Sequence, residues 1–281
     1  MLIAHSSRLY RPGRRSFVGC AAVAAAAAAL LTSCGTTTSS SSQSHATMAP
    51  AAAIGEALSS TTTTVKTMTF TALLTTGNQA GHVSGSIGAG TPLRADLMVQ
   101  IAGQNVEERI VGTIIYLKIP ALGKKLGKPW ASVNMAAIGK ASGLNLAQLM
   151  QQVQQANPGQ SLDMLSKSAH ITLVGPATID GASTTHYAGT VDLPAALSRF
   201  SPQLQVQIKT LTAKLGIKSV HIDLWLTPNH LPKRITQSYT TTLGPESLQV
   251  DYNSFNQPFT VQAPPANQTV NLDSLLNKAG L

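Results

Sequence analysis

Val220-His221-Ile222-Asp223-Leu224-Trp225-Leu226 is the stretch that decides the fold. Val220, Ile222, Leu224 and Leu226 alternate with His221, Asp223, Trp225 and then Thr227. Successive side chains of an extended strand point to opposite faces, so this alternation gives one apolar face and one polar face. A helix would need apolar residues at spacings of three and four, which this run lacks. It is a half-buried β-strand.

The same period extends outward in both directions. Within Val65 to Leu74, Met68, Phe70 and Ala72 share a face opposite Thr67, Thr69 and Thr71. Ala95, Leu97, Val99 and Ile101 alternate with Arg94, Asp96, Met98 and Gln100, and residues 106–111 and 113–119 follow across Gly112. Runs of this length broken by Gly or Pro are the pattern of antiparallel hairpins in a meander. After the middle of the chain, 170–174, 184–193, 234–243 and 247–255 give a second meander around the opening strand.

Between and beside these runs the period changes to that of helices. Ala51 to Leu58 reads as a short helix of good helix formers. Leu146, Leu149, Met150 and Val153 recur at helical spacing until Pro158-Gly159, and residues 161–168 suggest another short turn. Ser201-Pro202 has the form of an N-cap followed by proline at the first helical position. Leu204, Ile208, Leu211 and Leu215 then line one face, and Gly216 is the expected stop. A last helix is expected over 271–278. The fold class is α+β: a curled antiparallel sheet with one apolar face, covered by a few amphipathic helices.

The N-terminus is of another kind. Arg14-Arg15 precedes an uncharged apolar run, Phe17 to Leu31, of about 15 residues, short of the roughly 20 that a membrane span needs. Basic start, apolar centre and small residues at the end make an export leader. Leu31-Thr32-Ser33-Cys34 closes it and resembles a lipobox, in which the Cys thiol receives a diacylglycerol and becomes the first mature residue. Gly13-Arg14-Arg15-Ser16-Phe17-Val18 resembles a twin-arginine export motif and equally fits the basic start of an ordinary leader. Residues 35–50, rich in Ser and Thr, cannot bury anything; as a flexible tether they reach roughly 20–25 Å. The organisation is therefore a leader over 1–33, a lipidated Cys34 and tether over 34–50, and a folded domain over 51–281. The expected location is the outer face of the cell membrane, with Cys34 as the anchor.

Cysteine usage follows. Of the two Cys, Cys20 leaves with the leader and Cys34 is lipidated, so no disulfide and no Cys-based zinc site forms and a core must hold the domain. The formal charge of +9 includes Arg8, Arg11, Arg14 and Arg15 of the leader, and the remainder is mild and scattered. Aromatic content of 4% further excludes a dense basic face interleaved with stacking rings, so no nucleic-acid partner is expected. Lys124, Lys125 and Lys128 cluster in one Gly-rich loop; a solvated loop and a contact with anionic headgroups, about 1 kcal/mol per charge, both fit.

Several segments stand in a telling order: Trp130 to Asn134 after the Gly/Lys-rich turn, Thr185 to Leu193, and Leu224 to Arg234. The last is Asp251-Tyr-Asn-Ser-Phe-Asn-Gln-Pro-Phe-Thr-Val-Gln-Ala-Pro-Pro265. Together they resemble the LppX/LprG-type lipoproteins of actinobacteria, in the wider LolA/LolB-like group, over roughly residues 51–275. The resemblance implies a half-open antiparallel barrel closed by helices, a cavity that takes up acyl chains of lipids or lipoglycans, and a monomeric carrier without catalysis or cofactor. It supplies no binding motif that transfers residue by residue. Face alternation alone puts Leu97, Val99, Ile115, Leu117, Val220, Ile222, Leu224 and Leu226 on the cavity wall, with Leu204, Ile208 and Leu211 on the helix above.

Catalytic patterns do not assemble. His82, His170, His186, His221 and His230 lack metal-ligand spacing, and Gly81-His-Val-Ser-Gly85 lacks the spacing of a nucleophile elbow. Gly85, Gly88 and Gly90 lack the third glycine of a dinucleotide fingerprint. His221, Asp223 and Trp225 share a polar strand face, and Glu107 and Glu108 point to opposite faces, so neither set makes an acid–base pair. The competing non-enzymatic reading is a scaffold or interaction lipoprotein whose core is filled. An apolar void of several hundred Å3 separates the carrier from the scaffold.

Overall fold

Strand β1 (Thr67–Thr76) lies at the middle of the molecule because both of its edges find a partner. On one side a meander runs through β2 (Gln79–Gly88), β3 (Arg94–Ile101), β4 (Gln104–Val111) and β5 (Ile114–Lys118) to β6 (Trp130–Asn134). On the other side β1 pairs with β11 (Gly244–Phe255), which leads through β10 (Pro232–Thr241), β9 (Ser219–Leu226) and β8 (Ala182–Asp192) to β7 (Ala169–Ile179). The computed structural model describes residues 50–142, 169–192 and 202–273, apart from Asn78, Ala89 and Thr91, together with Leu197. The leader with Arg14 and Arg15, Cys34, the tether up to residue 49, and the helical expectations at 146–153 and 161–168 lie outside the described residues, while Pro50, expected as the last tether residue, begins a helix.

With β12 (Thr269–Asn271), the sheet has 12 strands among the described residues, in the order β12-β6-β5-β4-β3-β2-β1-β11-β10-β9-β8-β7, and among them it does not close. A sheet this wide cannot stay flat, since adjacent strands rotate by about 20–25°. The result is the curled, half-open barrel of an α+β fold. Short hairpins set the register: Ala102-Gly103 (φ 48 and 73) joins β3 to β4, and Asp180-Gly181 (φ 49 and 79) joins β7 to β8. Two consecutive residues at positive φ match the twist of the strands they join.

Strand β12 runs parallel to β6, pairing Thr269 with Trp130 and Asn271 with Ser132. Asn271, expected as the first residue of the last helix, thus ends a strand; helix begins at Asp273, and residues 274–278 of that expectation lie outside the described residues. The free edge of β6 offers ladder partners that a three-residue stretch of a helix does not have: Leu272 N–H donates to Ser132 O at 2.8 Å. The Asp273 carboxylate accepts from Asn134 N–H at 2.8 Å. To reach β6 the chain from Asn256 to Pro265 crosses the polar face. Thr67 Oγ1 donates to Gln257 O at 2.6 Å, and Arg94 Nη1 donates to Val261 O at 2.7 Å.

The core lies on the opposite face, where Met68, Phe70, Ala72, Ile87, Ala95, Leu97, Val250 and Tyr252 pack together. Helix α1 (Pro50–Thr64) covers the β8–β9 end of that face. Its buried stripe, Ala53, Ala57 and Thr61, recurs every four residues, and small side chains let it sit close against Tyr187 and Leu226. The helix runs past the expected end at Leu58 into a Ser/Thr stretch of low propensity. Thr63 Oγ1 donates back to Ser59 O at 2.8 Å, and Thr64 makes the same bond to Ser60.

Three further elements correct the sequence reading. Gln79–Gly88 is a full strand although Gly and Ser conceal its period. Lys124 and Lys125 sit on a short helix, α2 (Pro120–Leu126), rather than in a loop, and Lys128 Nζ donates to Thr269 O at 3.2 Å. Met135–Ser142 forms α3 where no helix was expected. The predicted helix after Pro202 is α4 (Pro202–Leu215), ending at Gly216 with φ 73. Leu215 O accepts from Thr242 N–H at 2.8 Å, which fastens the helix end to the β10–β11 turn.

Candidate functional site

Strand register makes the apolar face continuous. One row runs Ala131, Leu117, Glu108, Leu97, Gly85, Phe70, Tyr252 across β6, β5, β4, β3, β2, β1 and β11. A second runs Val106, Val99, Val83, Ala72, Val250, Ile235, Leu224, Tyr187, Leu173 from β4 to β7. Every strand position expected on a cavity wall therefore lies on one face. Their burial differs. Leu97 (5% exposed) and Leu226 (2%) are core, and Leu224 packs against the α1 contact. Val99, Ile115, Leu117, Val220 and Ile222 are only half-buried. Ile208 is half-buried on α4, and the side chains of Leu204 and Leu211 lie outside the described residues.

The opposite face is polar and tightly paired. Arg234 is ion-paired with Asp251, its direct cross-strand partner, and reaches Asp180 at 3.9 Å. Arg109 and Lys118 converge on Glu107 at 2.7 and 3.1 Å and both lie over the Trp130 ring. Those contacts hold the Glu107 carboxyl below the usual carboxylate range although desolvation, the largest influence, pushes the other way.

A second polar cluster joins β8, β9 and β10. Asp223 lies 2.9 Å from His186 Nε2 and 3.3 Å from His221 Nε2, and accepts from Thr236 Oγ1 at 3.1 Å. His186 stacks on Trp225, its cross-strand partner, with ring centroids 4.3 Å apart. His221, Asp223 and Trp225 were expected together; His186 was missed because only the β8–β9 register brings it there. These contacts spend both Asp223 oxygens on neighbours. The cluster works as a cross-strand fastener.

A shallow cleft of about 510 Å3 opens where α1 meets the C-terminal crossing, lined by Thr64, Lys66, Thr67 and residues 256–259. None of the expected wall residues borders it. Among the described residues no group of three or more His, Cys, Asp or Glu is placed to hold a metal ion, and no helix is long and apolar enough to cross a membrane.

No protein-family description matches the chain. It is 25% identical over 157 residues to an uncharacterized 31.2 kDa protein in the rplA-rplJ intergenic region of Streptomyces griseus, covering 55% of this chain and 52% of that protein. The chain thus spans about half the length of the curated relative it matches. Among solved structures it is similar to the Mycobacterium tuberculosis lipoprotein LppX, with 19% identity and a TM-score of 0.49 over 75% of this chain and 97% of the other. It is also similar to LprF of Mycobacterium bovis, with 14% identity and a TM-score of 0.44 over 76% and 93%.

Proposed function

We propose that this chain is an extracytoplasmic lipoprotein, anchored through a lipid on Cys34, that binds the acyl chains of lipids or lipoglycans on the inner face of its half-open sheet. The observation that carries the reading is the burial pattern of that face. Leu97 and its neighbours around β1 form a packed floor, whereas Val99, Ile115, Leu117, Val220 and Ile222 keep part of their apolar surface uncovered. Aliphatic side chains held on a curved face and left half-covered gain from any hydrocarbon that removes them from water, about 25 cal/mol for each Å2. One long acyl chain is held this way without a polar contact. The job is uptake and release; the named residues supply the wall, and nothing is asked of a nucleophile, acid or base.

The test is a filled wall. Val99→Trp and Ile115→Trp in the full chain place bulk on the half-buried part of the face and away from the α1 contact. Affinity for a fluorescent fatty-acyl probe should fall about tenfold in each, a change of about 1.4 kcal/mol, with the thermal midpoint little altered. A wild-type chain that does not bind the probe, or variants that bind it undiminished, would contradict the proposal.

A further inference from the structure

On the inner face, strand β4 places a charge-bearing residue that the core does not explain. Strand β4 reads Gln104-Asn-Val-Glu-Glu-Arg-Ile-Val111, and its alternation sends Glu107 and Arg109 outward and Val106, Glu108 and Ile110 inward. Glu107 is fully engaged with Arg109 and Lys118, as described. Glu108 stands between Leu97 of β3 and Leu117 of β5, its direct cross-strand partners. The groups facing it from β2, β3 and β5 are Gly85, Leu97 and Leu117, with Val83, Val99 and Ile115 in the adjacent rows; none of them titrates. Tyr252, the titratable member of the same row, is four strands away, roughly 19 Å at the usual strand spacing of about 4.8 Å. Arg94, Arg109 and Lys118 all sit on the far face. Among the described residues Glu108 has neither hydrogen-bond nor ion-pair partner.

We propose that Glu108 is the polar anchor of the acyl site, hydrogen-bonding the ester or amide carbonyl at the head of a bound acyl chain. This rests on the reading of the inner face as an acyl-binding surface and names which end of the ligand is fixed, and where. The position suits the task, since Val99, Ile115 and Leu117 surround it with uncovered hydrocarbon surface on which the chain itself lies. The chemistry suits it too. Desolvation acts on this carboxyl and raises it above the ordinary glutamate value, and its protonated form carries a donor O–H. A carbonyl oxygen is an acceptor only and accepts from that O–H. Glu108 is half-buried, so its carboxyl stands at the surface of the face, where a ligand head can reach it.

The experiment compares two probes on the full chain and its Glu108→Gln and Glu108→Leu variants. One is a fluorescent diacylglycerol, and the other is a pyrenyl alkane of matched length with no carbonyl. Glu108→Leu should weaken the diacylglycerol about tenfold without weakening the alkane, and Glu108→Gln, which keeps an N–H donor, should hold the diacylglycerol within about twofold. Raising the pH should weaken the diacylglycerol on the wild type and not on Glu108→Gln. Equal losses for both probes, no loss in Glu108→Leu, or loss in Glu108→Gln would each overturn the inference. A pyrenyl alkylamine bound in preference to the diacylglycerol would also overturn it, since it would assign the residue to a cation. A wild type that binds neither probe fails the acyl-binding reading itself; a wild type that binds both, unchanged by Glu108→Leu, fails the anchor alone.

Discussion

Glu107 and Glu108 are neighbours in sequence with opposite electrostatic fates, because a strand sends adjacent side chains to opposite faces. The outward one is paired with two cations and its carboxyl is lowered; the inward one faces leucines and is raised. This has a consequence for stability. In the unfolded chain Glu108 ionises near 4.5, whereas in the folded chain it holds its proton to a higher pH. The folded state therefore binds the extra proton in that window, and its stability falls as pH rises from the unfolded value through the folded one. Glu108→Gln, which has nothing to ionise, should raise the thermal midpoint at pH 7 and leave it nearly unchanged at pH 4. A thermal melt at the two pH values checks this, and an equal effect at both would show that desolvation of the carboxylate is not the cause.

At the scale of elements, the strands with β-branched and aliphatic alternation were legible and the glycine-rich ones were not. β3 and β9 stand within a residue of their expected bounds. β2 was invisible because Gly81 and Gly85 replace two of the apolar residues that would have marked its period. The glycine at 85 is a packing requirement: a Cβ there would lie 2.2 Å from Asp96 O and 2.9 Å from Leu97 Cα, atoms of the adjacent backbone that cannot swing aside. Gly189 is similar, with His170 O at 2.6 Å from the same position on β8. Gly85→Ala and Gly189→Ala should each destabilise the domain by roughly 1–3 kcal/mol, read as a lower midpoint in chemical denaturation, whereas Gly103→Ala meets open space and strains only its turn. The site followed the same logic. Face membership of Val99, Ile115, Leu117, Val220 and Ile222 was readable from period alone, but their half-burial, the buried state of Leu97 and Leu226, and the arrival of His186 beside Asp223 are properties of register and curvature, which no single strand encodes.

At the scale of the molecule, the sheet binds its two meanders through one central pairing of β1 with β11 and leaves its ends open. The free edge of β7 is guarded by Pro176, which has no N–H to offer, and by the bulge between Leu173 and Gly175. The other end is the short strand β12, paired to β6 over three residues. On the proposed reading, the half-buried aliphatic residues of the inner face take up hydrocarbon. The most direct test of that claim is native mass spectrometry of the full chain carrying Cys34→Ala, exported in a bacterial host and purified without detergent. Removal of Cys34 takes away the covalent anchor as a source of lipid mass, and the loss in Val99→Trp assigns what remains to the inner face. The account predicts a population heavier than the polypeptide by the mass of an acyl lipid, lost on organic extraction and diminished by Val99→Trp. A spectrum of bare polypeptide alone, from a folded chain that also fails to take up added diacylglycerol, would contradict it.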